Sequence, residues 1–408
     1  MYRYRFSLLL LVSIVVLASV SLRAQEVEDT IRIKTRVVFL DALVKDKKTN
    51  LPISNLMQEN FEVLDDGKPR EISYFTREGE ARKPLALVII LDLREDGAGR
   101  FLKEEEILKS MENELAKLPP GDEVAIMAMN IGEDEQRVWL SEFTNDRAKI
   151  AAALKQVQAI CLKNDAPKTP DNVAQTVENT AKEVAKPKEV VSTEVNKGRN
   201  GSVVTRKTMS DGSVDVTRVS KNGKMSIELG EVYDMAAAVR EATRKTQELR
   251  PNSQMSLVWV SDGIAPIFFE DRDATAEIIT RENVIFNSLT VELRTLFKFL
   301  LPVGKPIAGW MGLSLYGSAK QLAQRSGGEA VKVSRVKDYG AGLSRIIGNL
   351  TARYSLGFTL AENETDDGRL HHLEVRVKAP DEKGKKRKLQ VSSRQGYYMA
   401  YPPITQKQ

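Results

Sequence analysis

Three aspartates and an arginine stand where this sequence could hold a ligand. Asp92 closes the apolar run "LVIILD", Arg94 and Asp96 follow at alternate positions, and Asp262 closes a second apolar run, "MSLVWVSD". A strand that empties into a carboxylate places that group at the carboxyl rim of a parallel sheet, where open α/β sheets bind ligands. Carboxylates gathered there suit Mg²⁺ or Ca²⁺, which take oxygen ligands. Arg94 complicates that chemistry. Either its guanidinium supplies the positive charge through bidentate bonds to Asp92, Asp96 or Asp262, leaving a metal-free site, or it points outward and leaves three carboxylates to a rebuilt cation site. In the plainest reading Asp92 and Asp262 only cap neighbouring helices.

The remaining inventory narrows the chemistry. Cys161 is the one cysteine, which excludes an intramolecular disulfide, and His371 and His372 are the only histidines. His/Cys zinc sites and Cys–His catalysis are nearly excluded on that count. No Gly-x-Ser-x-Gly elbow accompanies Ser261, and both histidines sit inside an alternating strand pattern, so a hydrolytic triad is not expected. Gly97 and Gly99 lack a third glycine at dinucleotide spacing, which makes phosphate binding a poor reading. "KGKKRK" at 383 to 388 lies between two strands and reads as a solvated hairpin tip.

The first 24 residues have Arg3 and Arg5 ahead of an apolar core and small residues before Ala24, the order of a secretory signal peptide. An uncleaved anchor is the alternative. A secreted or periplasmic chain is therefore expected. No transmembrane segment is expected after signal cleavage, because the most apolar later stretch is broken by Glu292, Arg294, Lys298 and Lys305. Losing three arginines with the leader lowers 61 basic residues to 58 against 56 acidic ones. A net charge that small gives no reason to expect nucleic acid.

The elements that would position the acids follow from periodicity. Residues 31–80 alternate as an all-β unit, with Asp66-Gly67 as a hairpin turn. From 84 to 352 strands and helices alternate, which predicts a mostly parallel sheet covered by helices on both faces. The expected helices run over 101–118, from about 144 to 160, over 274–281, 315–325 and 338–352, with one more carrying Val232, Met235, Ala236, Val239 and Thr243 on one face. Residues 163–228 interrupt that rhythm. Their first half reads as a mobile linker, and the second repeats Val-Thr-Arg at 204–206 and 216–218 around Asp-Gly and Asn-Gly, which predicts a β meander serving as a recognition feature or a decorated loop. Strands at 353–402 are expected to pack with the N-terminal unit as one β-sandwich, leaving the α/β domain as an insertion in it.

The ordered set "LVIILDLRED", "GDEVAIMAMN", "VWLSEFTND", "EVYDMAAAV", "LVWVSDG", "SGGEAVKV", "ARYSLGFTL", "GRLHHLEVRVKA" and "RQGYYMA" resembles the von Willebrand factor A (VWFA)-related proteins that many acidobacteria secrete. The resemblance covers nearly everything after the leader. It implies a Rossmann-like α/β domain with a metal-ion-dependent adhesion site, built from Asp-x-Ser-x-Ser, a threonine and a second aspartate, whose shell a partner's carboxylate completes. Asp92 and Asp262 match the two aspartates, while Arg94 and Asp96 occupy the serine positions and Gly230 falls near the threonine. The resemblance thus implies a non-enzymatic protein binding its partner, in adhesion or another envelope interaction, through a top-face rim of Asp92, Arg94, Asp96 and Asp262. The site is degenerate, with no cofactor expected; Asp92, Asp96 and Asp262 hold Mg²⁺ or Ca²⁺ only if it still binds a cation. The competing functions are a metal-dependent envelope hydrolase or metal-binding adhesin using those three acids, and an envelope scaffold.

Overall fold

The computed structural model describes residues 36–77, 82–94, 98–131, 136–164, 189–198, 201–210, 214–223, 226–229, 235–263, 267–291, 313–314, 317–380 and 387–399. The leader at 1–24, the strand start at Ile31, Asp96, Gly97, Gly230, Val232, residues 165–188 of the expected linker and residues 383–386 of the basic tip lie outside them.

The chain order opens with β1 (Arg36–Asp46), which buries Val38, Leu40, Ala42 and Val44 at period two. After β1 the chain turns back to pair only through a single bridge, Lys45 to Pro52, because proline brings no N–H to extend a ladder. β2 (Phe61–Asp65) and β3 (Lys68–Arg70) form the hairpin. Asp66 and Gly67 both take positive φ, 48° and 80°, which is the turn that Asp-Gly favours. β4 (Tyr74–Thr76) closes this part.

Every residue of β5 (Leu85–Asp92) is buried. Leu85, Leu87, Ile89 and Leu91 face one core, and Ala86, Val88 and Ile90 face another, so the continuous apolar run reflects cover on both faces. Where one helix was expected over 101–118, Glu104 is extended and separates α1 (Gly99–Leu102) from α2 (Glu105–Ala116). β6 (Glu123–Ile131), β7 (Gln136–Thr144) and α3 (Arg147–Asn164) follow, and the Asp146 carboxylate caps α3 by accepting the Ala148 N–H at 2.9 Å.

The insertion forms a four-stranded antiparallel meander of β8 (Val190–Lys197), β9 (Val203–Met209), β10 (Val214–Val219) and β11 (Ser226–Leu229). β8 corrects the reading of 163–201 as linker. Its Val, Ser and Thr content suits a pleated strand, and β9 supplies the ladder partner that composition could not show.

The α/β rhythm resumes with α4 (Met235–Leu249), β12 (Gln254–Ser261), β13 (Ile267–Phe268), α5 (Phe269–Arg281), β14 (Ile285–Val291), β15 (Leu313–Ser314), α6 (Ser318–Ser326), β16 (Ala330–Val333) and α7 (Tyr339–Thr351). The central sheet runs β16-β14-β12-β5-β6-β7, parallel except for β7, and β13 pairs separately with β15. Helices α2, α3 and α7 bury Met111, Leu154 and Ile346 on one face; α4, α5 and α6 bury Val239, Ile279 and Leu322 on the other. Each such side chain contributes roughly 1.5–3 kcal/mol by leaving water.

β17 (Tyr354–Leu360), β18 (His371–Val377), β19 (Leu389–Ser392) and β20 (Gly396–Tyr397) are the last strands among the described residues. Two sheets, β19-β1-β17-β4 and β20-β18-β2-β3, share one apolar core that includes Leu40, Val63, Tyr354, Phe358, Val375 and Tyr397. Both therefore mix strands from the two ends. The last part of the expected β region at 353–402 breaks at 393–395 into β19 and β20, one in each sheet. Buried Arg394 sits at the break and donates to the Phe39 and Thr280 carbonyls, tying the sandwich to the end of α5. Gly327, at φ 78° after α6, meets the same break: a Cβ there would lie 2.5 Å from the Ser393 carbonyl carbon. No helix among the described residues is long and apolar enough to cross a membrane.

Candidate functional site

β5 and β12 are parallel neighbours, with Leu91 opposite Val260. β5 continues into β6 on one side, whereas β12 continues into β14 on the other, so their carboxyl ends flank the switch point of the sheet, where ligands of open α/β folds bind. Asp92 is the last residue of β5, and Asp262 directly follows β12.

Arg94 turns back between the two acids. Its Nη2 donates to Asp92 Oδ2 at 3.0 Å and to Asp262 Oδ1 at 2.7 Å, and its Nε lies 3.2 Å from both Asp92 oxygens. The Ser261 hydroxyl donates to Asp92 Oδ2 at 2.7 Å, with Asp262 Oδ1 3.3 Å away. Tyr339, fully buried on α7, donates to the Ser261 carbonyl at 3.4 Å. Two carboxylates thus share one guanidinium out of contact with water, an arrangement that holds only while the charges remain paired. The turn leading out is tight. The Gly99 N–H donates to the Arg94 carbonyl at 2.9 Å, and a Cβ on Gly99 would fall 2.3 Å from the Leu93 carbonyl oxygen. The glycine considered for phosphate contact is here a packing requirement.

The structure therefore brings Asp92, Arg94 and Asp262 together; Asp96 lies outside the described residues. The three are only 1%, 7% and 6% exposed. A partner at this edge meets the loops that the strands feed, with the three side chains acting from beneath. The sequence sets Ser261 aside as a nucleophile and does not show its bond to Asp92, because the direction of its hydroxyl depends on the strand pairing.

Sequence reasoning missed a second polar cluster, at the start of α5. The two Val-Thr-Arg triplets lie antiparallel, with Val204 opposite Arg218, Thr205 opposite Thr217 and Arg206 opposite Val216. Period two then sends valines and arginines to one face. Val204 and Val216 pack on Phe268, Arg206 donates to Asp271 Oδ2 at 2.9 Å, and Arg218 donates to Glu270 Oε1 at 3.0 Å. Arg240 from α4 reaches Glu194 of β8 at 3.1 Å, and Asn196 reaches Asp271 at 2.8 Å. Burial alone would raise the Glu270 carboxyl, but the Arg218 guanidinium and the Ser202 hydroxyl outweigh it and hold it below the usual glutamate range. This dock explains why α5 starts at Phe269 and not near Ala274: its first turn carries the acids that the insertion binds.

No known family profile matches the chain, and no curated relative matches it. Among solved structures it is similar to the SpRpn10 VWA domain, at 10% identity and a TM-score of 0.30, over 65% of this chain and 94% of that one. It is similar to the pilus adhesin SpaC from Lactobacillus rhamnosus GG in its open conformation, at 8% identity and 0.33, over 86% of this chain and 48% of that one. It is also similar to three N-terminal domains of the type V pili tip protein Mfa5 from Porphyromonas gingivalis, at 12% and 0.26, over 90% and 66%. Overlays this loose carry no argument, and the fold stands on the strand order and registers given above.

Proposed function

We propose that this chain is an exported, non-catalytic protein-binding module of the VWFA type, in which an internal guanidinium replaces the cation of the adhesion site. The observation that carries this reading is Arg94 lying between Asp92 and Asp262, at 3.0 and 2.7 Å. Mg²⁺ demands near-octahedral oxygen ligands and keeps several waters. Here the donor set does not fit it: the space between the carboxylates is filled, and Arg94 and Asp96 stand where the resemblance implies serine hydroxyls. With the acids turned to internal donors, the surface left for a partner is the loop rim together with the outer face of the insertion. On β8, Val191 and Val195 point away from the face that docks on α5 and are 69% and 51% exposed. Apolar side chains on an exposed sheet edge favour a protein partner.

Titrating Mg²⁺ or Ca²⁺ into the chelator-treated chain tests the reading. A cation-free site leaves the melting temperature within about 1 °C, because an ion that does not bind the folded state adds no stability. A rise of several degrees that Asp262→Asn abolishes overturns it. A metal-dependent turnover lost in the same variant would move the chain to the hydrolase class.

A further inference from the structure

The sandwich holds a second set of acids around its one buried histidine, and nothing in the top-face site uses it. Asp65 ends β2, Asp66 opens the hairpin turn, and His371 begins β18, which pairs with β2. The imidazole lies against the Tyr397 ring, with centroids 5.1 Å apart, and its side chain is 3% exposed. Its two nitrogens face opposite ways. Nε2 lies 3.2 Å from Asp367 Oδ1; Nδ1 lies 3.1 Å from Asp66 Oδ2 and 3.9 Å from Asp65 Oδ1.

Asp65 and His371 are held from the sides turned away from the cluster, whereas Asp66 is held at both of its oxygens. The Asp65 Oδ2 atom accepts from Arg70 Nη2 at 2.7 Å and from the Tyr397 hydroxyl at 3.1 Å. Its Oδ1, in a side chain only 4% exposed, accepts no hydrogen bond among the described residues and is turned toward the imidazole. The Asp66 Oδ1 atom accepts the His372 N–H at 2.9 Å, and Arg369 reaches Oδ2 at 2.9 Å. A metal-bound imidazole characteristically gives its other N–H to a carboxylate, as His371 can to Asp367, and metal-bound carboxylates are themselves held by outer donors.

We propose that Asp65 Oδ1, Asp66 Oδ2 and His371 Nδ1 bind one divalent transition-metal ion, of the zinc or cobalt type. The three donors lie within 4.8 Å of one another. An ion about 2.0–2.2 Å from each needs them roughly 3–3.5 Å apart, so Asp65 Oδ1, which stands 3.9 Å from the imidazole nitrogen, must move inward for the ion to bind. One imidazole with carboxylates favours such ions over Mg²⁺ or Ca²⁺. The charge balance agrees. Asp65, Asp66, Glu364 and Asp367 face Arg70 and Arg369, which leaves two negative charges around the imidazole. Asp66 and Asp367, 28% and 42% exposed, open a route from solvent. The competing occupant is a proton: an imidazolium donates to Asp66 and Asp367 but leaves Asp65 Oδ1 unsatisfied.

The test uses the full chain, treated with chelator and titrated calorimetrically with Zn²⁺, with Co²⁺ absorption as a second readout. One saturable ion per chain is expected, together with a visible Co²⁺ band. Asp66→Asn keeps the turn, since Asn-Gly favours the same geometry, and should weaken binding at least tenfold; Asp65→Asn should do the same, whereas Asp273→Asn on exposed α5 should leave it unchanged. Absence of saturable binding, or binding that Asp66→Asn does not weaken, overturns the proposal. So does an imidazole that still carries protons on both nitrogens by NMR in the presence of Zn²⁺. Because Asp262 takes no part, this result is independent of the Mg²⁺ and Ca²⁺ experiment.

Discussion

The Asp92–Asp262 pair and the Glu270–Asp271 pair are both buried acids matched to arginines, yet they differ in where the arginines come from. At the sheet edge one guanidinium, two residues from Asp92, serves both carboxylates. At the start of α5, Arg206 and Arg218 arrive on the insertion from 65 and 52 residues away. The first pairing joins residues at the end of β5 and just after β12, inside the frame of the central sheet. The second joins the insertion to α5 across residues distant in the chain. The same chemistry should then act as a fixed brace in one place and a releasable clasp in the other.

Removing each arginine probes that distinction. Arg94→Ala leaves two carboxylates buried together and should cost about 3–5 kcal/mol in urea denaturation, with Arg94→Lys restoring only part because the bidentate geometry is lost. A loss below about 1 kcal/mol would mean that the acids find other relief and the brace does not exist. Arg218→Ala should cost less, about 1–3 kcal/mol of insertion docking and not of global unfolding, because Glu270 regains water when the insertion lifts. Its signature is faster protease cleavage within 189–229 while the central domain keeps its urea midpoint. Acid should act likewise. The folded-state pKa of Glu270 lies below its unfolded value, so its stabilisation is present above about pH 4.5 and is lost as pH falls through the folded value.

The smallest effect belongs to an acid governed by burial. Desolvation raises Glu282 against the pull of Arg281, so the folded state holds its proton longer than the unfolded chain, and stability falls as pH rises through that window. Glu282→Gln should therefore stabilise by under about 0.5 kcal/mol at pH 7 and by nothing near pH 4. A stabilisation equal at both pH values would remove burial of the charge as its cause.

What could be read beforehand follows the same division. The run from Leu87 to Asp92, the Asp66-Gly67 turn and the alternation of strands and helices are local patterns, and the sheet has them. Arg94 could be weighed against a cation because it stands beside Asp92. Strand β8 was read as linker because its valines show their purpose only once β9 lies alongside. The Val-Thr-Arg repeat was visible, but its docking role needed Phe268, Glu270 and Asp271, which register and helix start bring to it. The sequence offers His371 only cysteine and serine partners to consider; its hairpin acids lie some 305 positions away in the chain, a separation no spacing rule spans.

Placing β1 beside β19 and β2 beside β18 has a consequence for biogenesis. The domain between them can mature as its own segment emerges, but neither outer sheet can be completed before the final strands appear, and pairing so distant in the chain forms slowly. Until then β1 and β2 wait with open ladder edges, which are sites of mispairing with other chains. Shielding that early segment is then a task for whatever holds the nascent polypeptide.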